Sequence, residues 1–353
     1  MDKKRTEILL VPQKSHMNNK LFDLEGGLRQ REVGLVCATL KKRLQKKGFE
    51  IKTIDTVDDI TNAYAVVFFE VPKNNNKYLQ ICLKHRLDDR LYVVVGEPPA
   101  TYPLDHDKTK HGSFKRIMTF NSDLVDGHKY IRYDYTIPIR SGEQIKILKQ
   151  PFSSKKLLCM VSSNKFSSHE NELYGERIKT LHFMEKHHSD DFDLYGTGWE
   201  KPMIHARWAS AVKINGAISI FWPKNAIIKQ FKTYRGSPKN KSDVFPKYKF
   251  TIAYENCITP GYISEKILEA FLYGCVPIYL GDPKVKERIP ANCFIDKRDF
   301  PTYEALYNHI ANISETEHNA YLDAIEQFLN SKKIYPFTID GFISSFEKML
   351  ELE

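Results

Sequence analysis

The sequence lacks the features by which several classes of protein are recognised. None of its six cysteines belongs to a CxxC pair, which argues against a zinc ribbon and is typical of reduced thiols in a cytosolic protein. It has no run of 18 apolar residues, so it predicts no membrane-spanning helix. The apolar run over residues 8–11 is too short for a signal peptide. We therefore expect a cytoplasmic protein that makes at most peripheral contact with the inner face of a membrane.

Two common nucleotide-binding patterns and the pattern of a nucleic-acid-binding protein are also missing. The sequence contains neither GxGxxG nor a P-loop, which excludes the ordinary dinucleotide and ATP cradles. Its net charge of +9 favours an anionic partner. The lysines and arginines are dispersed, however, and do not gather with aromatic residues on one face. We therefore expect no nucleic-acid partner.

Apolar runs alternate with amphipathic stretches, an order that predicts a parallel-sheet α/β protein. The strands are predicted over Glu7–Val11, 49–54, 63–71, Leu91–Val95, 117–120, 156–162, Phe192–Tyr195, Tyr248–Tyr254 and Val276–Leu280. The helices are predicted over 29–47, 78–85, 171–186, 226–234, 264–272, 303–313, 318–329 and 339–352. The length suggests two domains, 1–150 and 151–353, with the last helix able to pack back on the first. We expect two facing Rossmann-like domains with a cleft between them, where ligands meet the carboxyl ends of strands.

The stretch YENCITPGYISEKILEAFLYGCVPIYLGDP, residues 254–283, places a charged pair at the start of a helix between two apolar strands. Ser264 is predicted as the N-cap of this helix, and Glu265 then lies in the first turn, where the helix dipole favours a negative charge. Lys266 and the backbone N–H groups suit a diphosphate, while a carboxylate suits a ribose hydroxyl pair. From the residues alone, nucleotide binding and a merely capped surface helix both remain open.

A longer stretch around this helix resembles a known family. YKFTIAYENCITPGYISEKILEAFLYGCVPIYLGDP and the continuation IPANCFIDKRDF, together residues 248–300, resemble the signature of the α-1,3-fucosyltransferase family, glycosyltransferase family 10, in its soluble bacterial or viral form. The resemblance implies a GT-B fold, with GDP-fucose held by the C-terminal domain and the acceptor by the N-terminal one. It also implies inverting transfer of L-fucose to a hydroxyl of N-acetylglucosamine or glucose in an oligosaccharide, α-1,3-linked or, as the alternative, α-1,4-linked.

An inverting transfer needs a base that removes the proton from the attacking hydroxyl. Glu97 follows the apolar stretch Leu91–Val95 and precedes two prolines that stiffen its loop. The resemblance also places the family's general base at Glu97. Glu70, at the end of the neighbouring strand, is the competing carboxylate, and a loop glutamate without a role is the plain alternative.

The resemblance assigns the donor site to residues of the second domain. It implies that Arg177 and Lys266 contact the diphosphate, that Glu265 binds the ribose, and that Asn256 and Tyr262 line the site. Ser163 and Asn164 are weaker candidates because they follow a predicted strand. For each of these residues a structural role, such as an exposed helix charge for Arg177, remains the alternative.

The wider expectations concern the metal and the substrates. Asp191-Phe192-Asp193 matches the DxD pattern of a different glycosyltransferase fold, but it runs directly into a strand, so we expect no metal site and no essential divalent cation. No cofactor is expected besides the donor substrate. The glycan would be a surface glycan such as lipopolysaccharide with a Lewis-type structure, or a protein-linked one. The alternative function is a GT-B glycosyltransferase with another nucleotide sugar or linkage.

Overall fold

A computed structural model of the chain describes residues 6–25, 28–201, 214 and 231–352. The chain divides into two units, one formed by 1–142 with 335–353 and the other by 143–334. The division lies at residue 142 and not at the predicted residue 150, and the last helix belongs to the first unit. The helix predicted over 226–234 falls mostly outside the described residues, and residues 231–234 are not helical.

The first unit contains a parallel sheet with the strand order β2-β1-β3-β4-β5-β6. Its strands are β1 Glu7–Val11, β2 Glu50–Thr53, β3 Ala65–Phe68, β4 Leu91–Val95, β5 Arg116–Thr119 and β6 Tyr130–Arg132. Its helices are α1 Leu28–Lys46, α2 Lys77–Lys84, the single turn α3 Lys108–His111, and α9 Ile339–Met349. Every residue of β3 and β4 is buried, as expected for central parallel strands that are covered on both faces.

The second unit contains another parallel sheet, in the order β11-β10-β9-β7-β8. Its strands are β7 Lys156–Val161, β8 Phe192–Tyr195, β9 Tyr248–Tyr254, β10 Val276–Leu280 and β11 Ile295–Asp296. Its described helices are α4 Tyr174–His187, α5 Glu265–Leu272, the single turn α6 Val285–Arg288, α7 Tyr303–Asn312 and α8 Glu315–Leu329.

Both sheets have the doubly wound order in which the first strand of the unit lies between the second and the third. In the first unit, β2 is added on one side of β1 and β3 on the other, so the switch point lies between β1 and β3. In the second unit, β8 and β9 flank β7 in the same way, and the switch point lies between β7 and β9. Ligands of open α/β sheets bind at the carboxyl ends of the strands on either side of such a switch point. The topology thus marks one candidate edge in each unit.

The predicted parallel α/β class is confirmed, and strands β1, β4, β8, β9 and β10 have the predicted bounds. The helix predicted over 171–186 begins three residues later, at Tyr174. The reason is that the Glu172 carboxylate accepts a hydrogen bond from the Gly175 N–H at 2.8 Å, outside the helical pattern. The short strands β6 and β11 were not predicted, since two or three residues give no periodicity to read. No helix in the described part of the chain is long and apolar enough to cross a membrane.

Candidate functional site

The candidate donor site lies where β7 and β9 end in the second unit. Ser162 and the two residues after it follow β7, while Glu255 and Asn256 follow β9. The next loop leads to α5, whose predicted cap is confirmed, because the Ser264 Oγ accepts a hydrogen bond from the Lys266 N–H at 3.4 Å. The switch point thus places the ends of these strands close to the N-terminus of a helix.

Arg177 is buried rather than exposed at the surface of α4. Its guanidinium Nη2 donates to the carbonyl oxygens of Tyr254 at 2.6 Å and Glu255 at 2.7 Å, and to Asn256 Oδ1 at 3.0 Å. Burial lowers its pKa, while nearby tyrosine and glutamate side chains oppose that shift. Arg177 therefore ties the end of β9 to α4 and brings a buried positive charge to the switch point, alongside Asn256.

The two charged residues of the opening motif are placed together at the start of α5. The Lys266 ammonium lies 3.6 Å from Glu265 Oε1 and 3.3 Å from Glu255 Oε2. Burial alone would lower the pKa of Lys266, but these two carboxylates outweigh it and raise the pKa. The Glu265 side chain is 30% exposed and that of Lys266 18%, so both retain access to a ligand.

Tyr262 is buried, with 4% of its surface exposed, in the loop just before α5. Its backbone carbonyl accepts a hydrogen bond from the Tyr279 hydroxyl at 3.2 Å. Asn164 is also buried, and its amide donates to the Gly198 carbonyl at 3.0 Å. The Ser163 hydroxyl accepts a hydrogen bond from Thr197 at 2.9 Å. The two weaker candidates thus hold the turn after β8, which is a structural use of their side chains.

The two aspartates of the DxD pattern serve separate interactions. Asp193 is buried in β8, where it accepts hydrogen bonds from the Tyr248 hydroxyl at 2.5 Å and from Lys156 at 2.7 Å. Asp191 accepts one from the Tyr307 hydroxyl at 2.7 Å. Within the described ranges, no group of three or more His, Cys, Asp or Glu side chains is arranged to hold a metal ion.

In the first unit, Glu97 lies in the turn that follows β4 and is partly exposed. Its backbone carbonyl accepts a hydrogen bond from His106 Nε2 at 2.8 Å, and its N–H faces the carboxylate of Asp105. Asp105 is 1% exposed and accepts a hydrogen bond from the Val71 N–H at 2.6 Å. Burial raises the pKa of Asp105 to about 7. The histidine therefore holds the backbone of Glu97 through its carbonyl, and the buried acid lies beside the same loop.

Glu70, the competing carboxylate, lines a cavity of about 190 Å³ at the switch point of the first unit. Val11 and Phe68, which end β1 and β3, line the same cavity, together with Tyr102. Burial raises the pKa of Glu70, while Gln13 and Lys73 oppose that shift. Glu70 and Glu97 thus follow adjacent strands at the same edge of the sheet, and geometry alone leaves both as candidate bases.

Sequence reasoning missed the residues that support these sites, chiefly Glu255, Asp282 and Asp105. Glu255 is completely buried, and Asp282 accepts a hydrogen bond from the Gly261 N–H at 2.9 Å. A charged residue directly after an apolar strand was the available signal for Glu255. Asp105 carried no such signal, because its hydrogen-bond partner Val71 lies 34 residues earlier in the sequence.

Comparison with known proteins bears on both units. Residues 152–333 match the model of the glycosyltransferase family 10 (fucosyltransferase) C-terminal region, which is just over half of the chain. The chain belongs to glycosyltransferase family 10. The matched region of this family 10 chain does not include Glu97, since that residue precedes residue 152. It does include all five donor-site candidates, which are Arg177, Asn256, Tyr262, Glu265 and Lys266.

Two curated relatives and one solved structure illustrate the similarity of this family 10 chain. It is 35% identical to the alpha-(1,3)-fucosyltransferase FucT of Helicobacter pylori over 104 residues, which cover 29% of this chain and 20% of that protein. It is 33% identical to the alpha-(1,3)-fucosyltransferase fut-5 of Caenorhabditis elegans over 258 residues, 72% of this chain and 58% of that protein. A crystal structure of an alpha1,3-fucosyltransferase superposes with a TM-score of 0.55 at 15% identity, covering 99% of this chain and 92% of the other. The fold is therefore GT-B, as the resemblance implies.

Proposed function

We propose that this family 10 chain transfers L-fucose from GDP-fucose to a hydroxyl of N-acetylglucosamine or glucose in a glycan, with inversion and an α-1,3 linkage. The observation that carries the proposal is the placement of Glu265 and Lys266 at the start of α5, at the switch point within the matched region. An inverting transfer to a sugar hydroxyl requires residues that bind the leaving group and a base that removes the proton. The candidate edge of the second unit, within the family match, supplies the former. The candidate edge of the first unit supplies candidates for the base.

The donor side of the reaction rests on the second unit. Lys266 and Arg177 supply positive charge where the diphosphate gains negative charge as GDP leaves, and charge placed in advance stabilises such a transition state. Glu265 accepts hydrogen bonds from the ribose hydroxyls, since a carboxylate offers two acceptor oxygens. Asn256 and Tyr262 complete the wall of the donor site. No divalent cation is required by this arrangement.

The acceptor side rests on the first unit. Glu97 removes the proton from the acceptor hydroxyl while that oxygen forms a bond to the anomeric carbon of fucose. The bond from this carbon to the phosphate oxygen breaks, and GDP leaves with the electron pair. We assign the base to Glu97 rather than Glu70 because the family resemblance places the general base there, and His106 Nε2 holds the same loop at the Glu97 carbonyl.

The first experiment measures GDP or UDP release from a panel of nucleotide sugars, with oligosaccharide acceptors that carry N-acetylglucosamine or glucose. We expect turnover with GDP-fucose, with and without EDTA. Turnover only with another nucleotide sugar would replace this proposal by the alternative donor, and a strict need for a divalent ion would contradict the metal-free arrangement. Linkage analysis of the product then decides between α-1,3 and α-1,4.

The second experiment tests the residue roles with matched variants. Glu97→Gln should lower turnover at least about 100-fold, the contribution expected of a general base, while leaving GDP affinity unchanged. The control Glu25→Gln removes an exposed carboxylate of the same unit. Lys266→Met should weaken GDP binding, whereas the exposed Lys284→Met should not. Near-normal turnover in Glu97→Gln would move the base assignment to Glu70.

A further inference from the structure

A fully buried carboxylate lies behind the two charged residues at the start of α5. Glu255 has 0% of its surface exposed. Its Oε1 accepts a hydrogen bond from the Ser264 N–H at 2.7 Å, and its Oε2 accepts one from the Ser264 hydroxyl at 2.6 Å. The Lys266 ammonium donates to the same Oε2 at 3.3 Å. Burial raises the pKa of Glu255, while Lys266 and Ser264 oppose that shift. Both oxygens act as acceptors, which is the pattern of an ionised carboxylate.

The segment from Gly261 to Ser264, called the strap here, is held by buried groups along its length. The Asp282 carboxylate holds its first N–H at 2.9 Å, and the Tyr279 hydroxyl donates to the carbonyl of Tyr262 at 3.2 Å. Glu255 holds its last N–H through the contact with Ser264. Since the strap runs directly into α5, these contacts determine where the first turn of that helix begins.

The charge of Glu255, together with the larger contribution of Glu265, keeps Lys266 charged. An ammonium whose side chain is only 18% exposed loses hydration, and this loss is offset only by a nearby negative charge. Glu255 and Glu265 provide that charge from two sides, while Arg177 opposes it. The Ser264 hydroxyl lies 3.1 Å from the same ammonium and limits where it can move.

We propose that Glu255 is a positioning residue for the donor diphosphate: it anchors the strap and holds the Lys266 ammonium charged and in place at the start of α5. The inference rests on the proposed donor role of Lys266. Glu255 has none of its surface exposed, so it acts on the nucleotide through Ser264 and Lys266 and not by direct contact. Its negative charge also repels the diphosphate, and the anchoring of Lys266 outweighs this repulsion.

Glu255→Gln tests whether the anchoring of Lys266 outweighs the repulsion between Glu255 and the diphosphate. The amide can keep one contact to the strap, but its N–H₂ then faces the Lys266 ammonium, and two donors cannot bond to each other. We expect the dissociation constant of GDP to rise on the order of tenfold, which corresponds to the loss of one charge-assisted hydrogen bond. Binding of guanosine, which lacks the diphosphate, should stay within about twofold. The exposed Glu287→Gln is the matched control.

Ligand-observed NMR titrations of the full chain measure both affinities, and a double-mutant cycle with Lys266→Met tests the pathway. If Glu255 acts through Lys266, Glu255→Gln should cost little further GDP affinity in the Lys266→Met background. Unchanged or tighter GDP binding in Glu255→Gln would overturn the inference, as would an equal loss for guanosine. If Glu255→Gln does not fold, Glu255→Asp takes its place, because the shorter side chain keeps the charge but moves it away from Ser264 and Lys266. Unchanged or tighter GDP binding in Glu255→Asp, or an equal loss for guanosine, would again overturn the inference.

Failure of the inference and failure of the proposed function give different results. If Lys266→Met binds GDP normally, the donor role itself is wrong. If Lys266→Met loses GDP affinity while Glu255→Gln does not, only the positioning role of Glu255 is wrong.

Discussion

Burial of an uncharged histidine should make the stability of the second unit depend on pH. His318 lies on α8 with 1% of its surface exposed, and its ring centroid is 5.3 Å from that of Phe152 and 5.7 Å from that of Phe250. Burial, helped by the positive charges of Lys155 and Lys249, lowers the pKa of His318 to about 4. Between this pKa and the ordinary value of about 6.5, the unfolded chain binds a proton that the folded chain does not.

The sign and size of the effect follow from these two pKa values. Because the pKa of His318 is lowered in the folded state, its contribution to the free energy of unfolding is fully present above the pKa of the unfolded chain. This contribution is lost as the pH falls toward the pKa of the folded chain. The free energy of unfolding should therefore drop by about 2 kcal/mol between about pH 7 and pH 5 because of His318 alone.

Urea denaturation of the wild type and of His318→Gln across this range measures the effect. Glutamine does not titrate, so the variant should lose about 2 kcal/mol less than the wild type over the same interval. The control His309→Gln removes an exposed imidazole of the same unit and should follow the wild-type curve. Parallel curves for the wild type and His318→Gln would refute the reasoning, since the histidine would then titrate alike in both states.

Two further substitutions test the packing around the sites. In Gly281→Ala the new Cβ would clash with Glu255 Cγ and with the Tyr279 hydroxyl, so we expect a loss of about 1–3 kcal/mol of stability together with weaker GDP binding. Gly112→Ala, where nothing lies within 4 Å, is the control, and equal melting temperatures for the two variants would contradict the clash. His106→Leu removes the 2.8 Å hydrogen bond to the Glu97 carbonyl, so turnover should fall about tenfold at unchanged GDP affinity. Steady-state kinetics check this, and wild-type turnover would show that the histidine does not position the loop.

Local patterns predicted more of the fold than of the site. The alternation of apolar runs placed β1, β4 and β9 at their observed bounds, and the Ser-Glu-Lys order predicted the capped start of α5, because these signals lie within a few neighbouring residues. The sequence could not show that Arg177 is buried, since its partners lie at the end of β9, about 80 residues later. The charge of Glu255 could likewise be understood only after the fold brought Ser264 and Lys266 against it.

The contribution of α9 to the first unit has a consequence for how the chain folds during translation. The ribosome delivers residues 143–334 as one uninterrupted piece, whose two ends are joined by hydrogen bonds between Ile145 and Asn330, both at 2.8 Å. The first unit cannot be completed until residues 335–353 have been synthesised, since α9 contacts β5 and β6. The half that is synthesised first is therefore the last to be completed, the reverse of the usual N-terminal-first order.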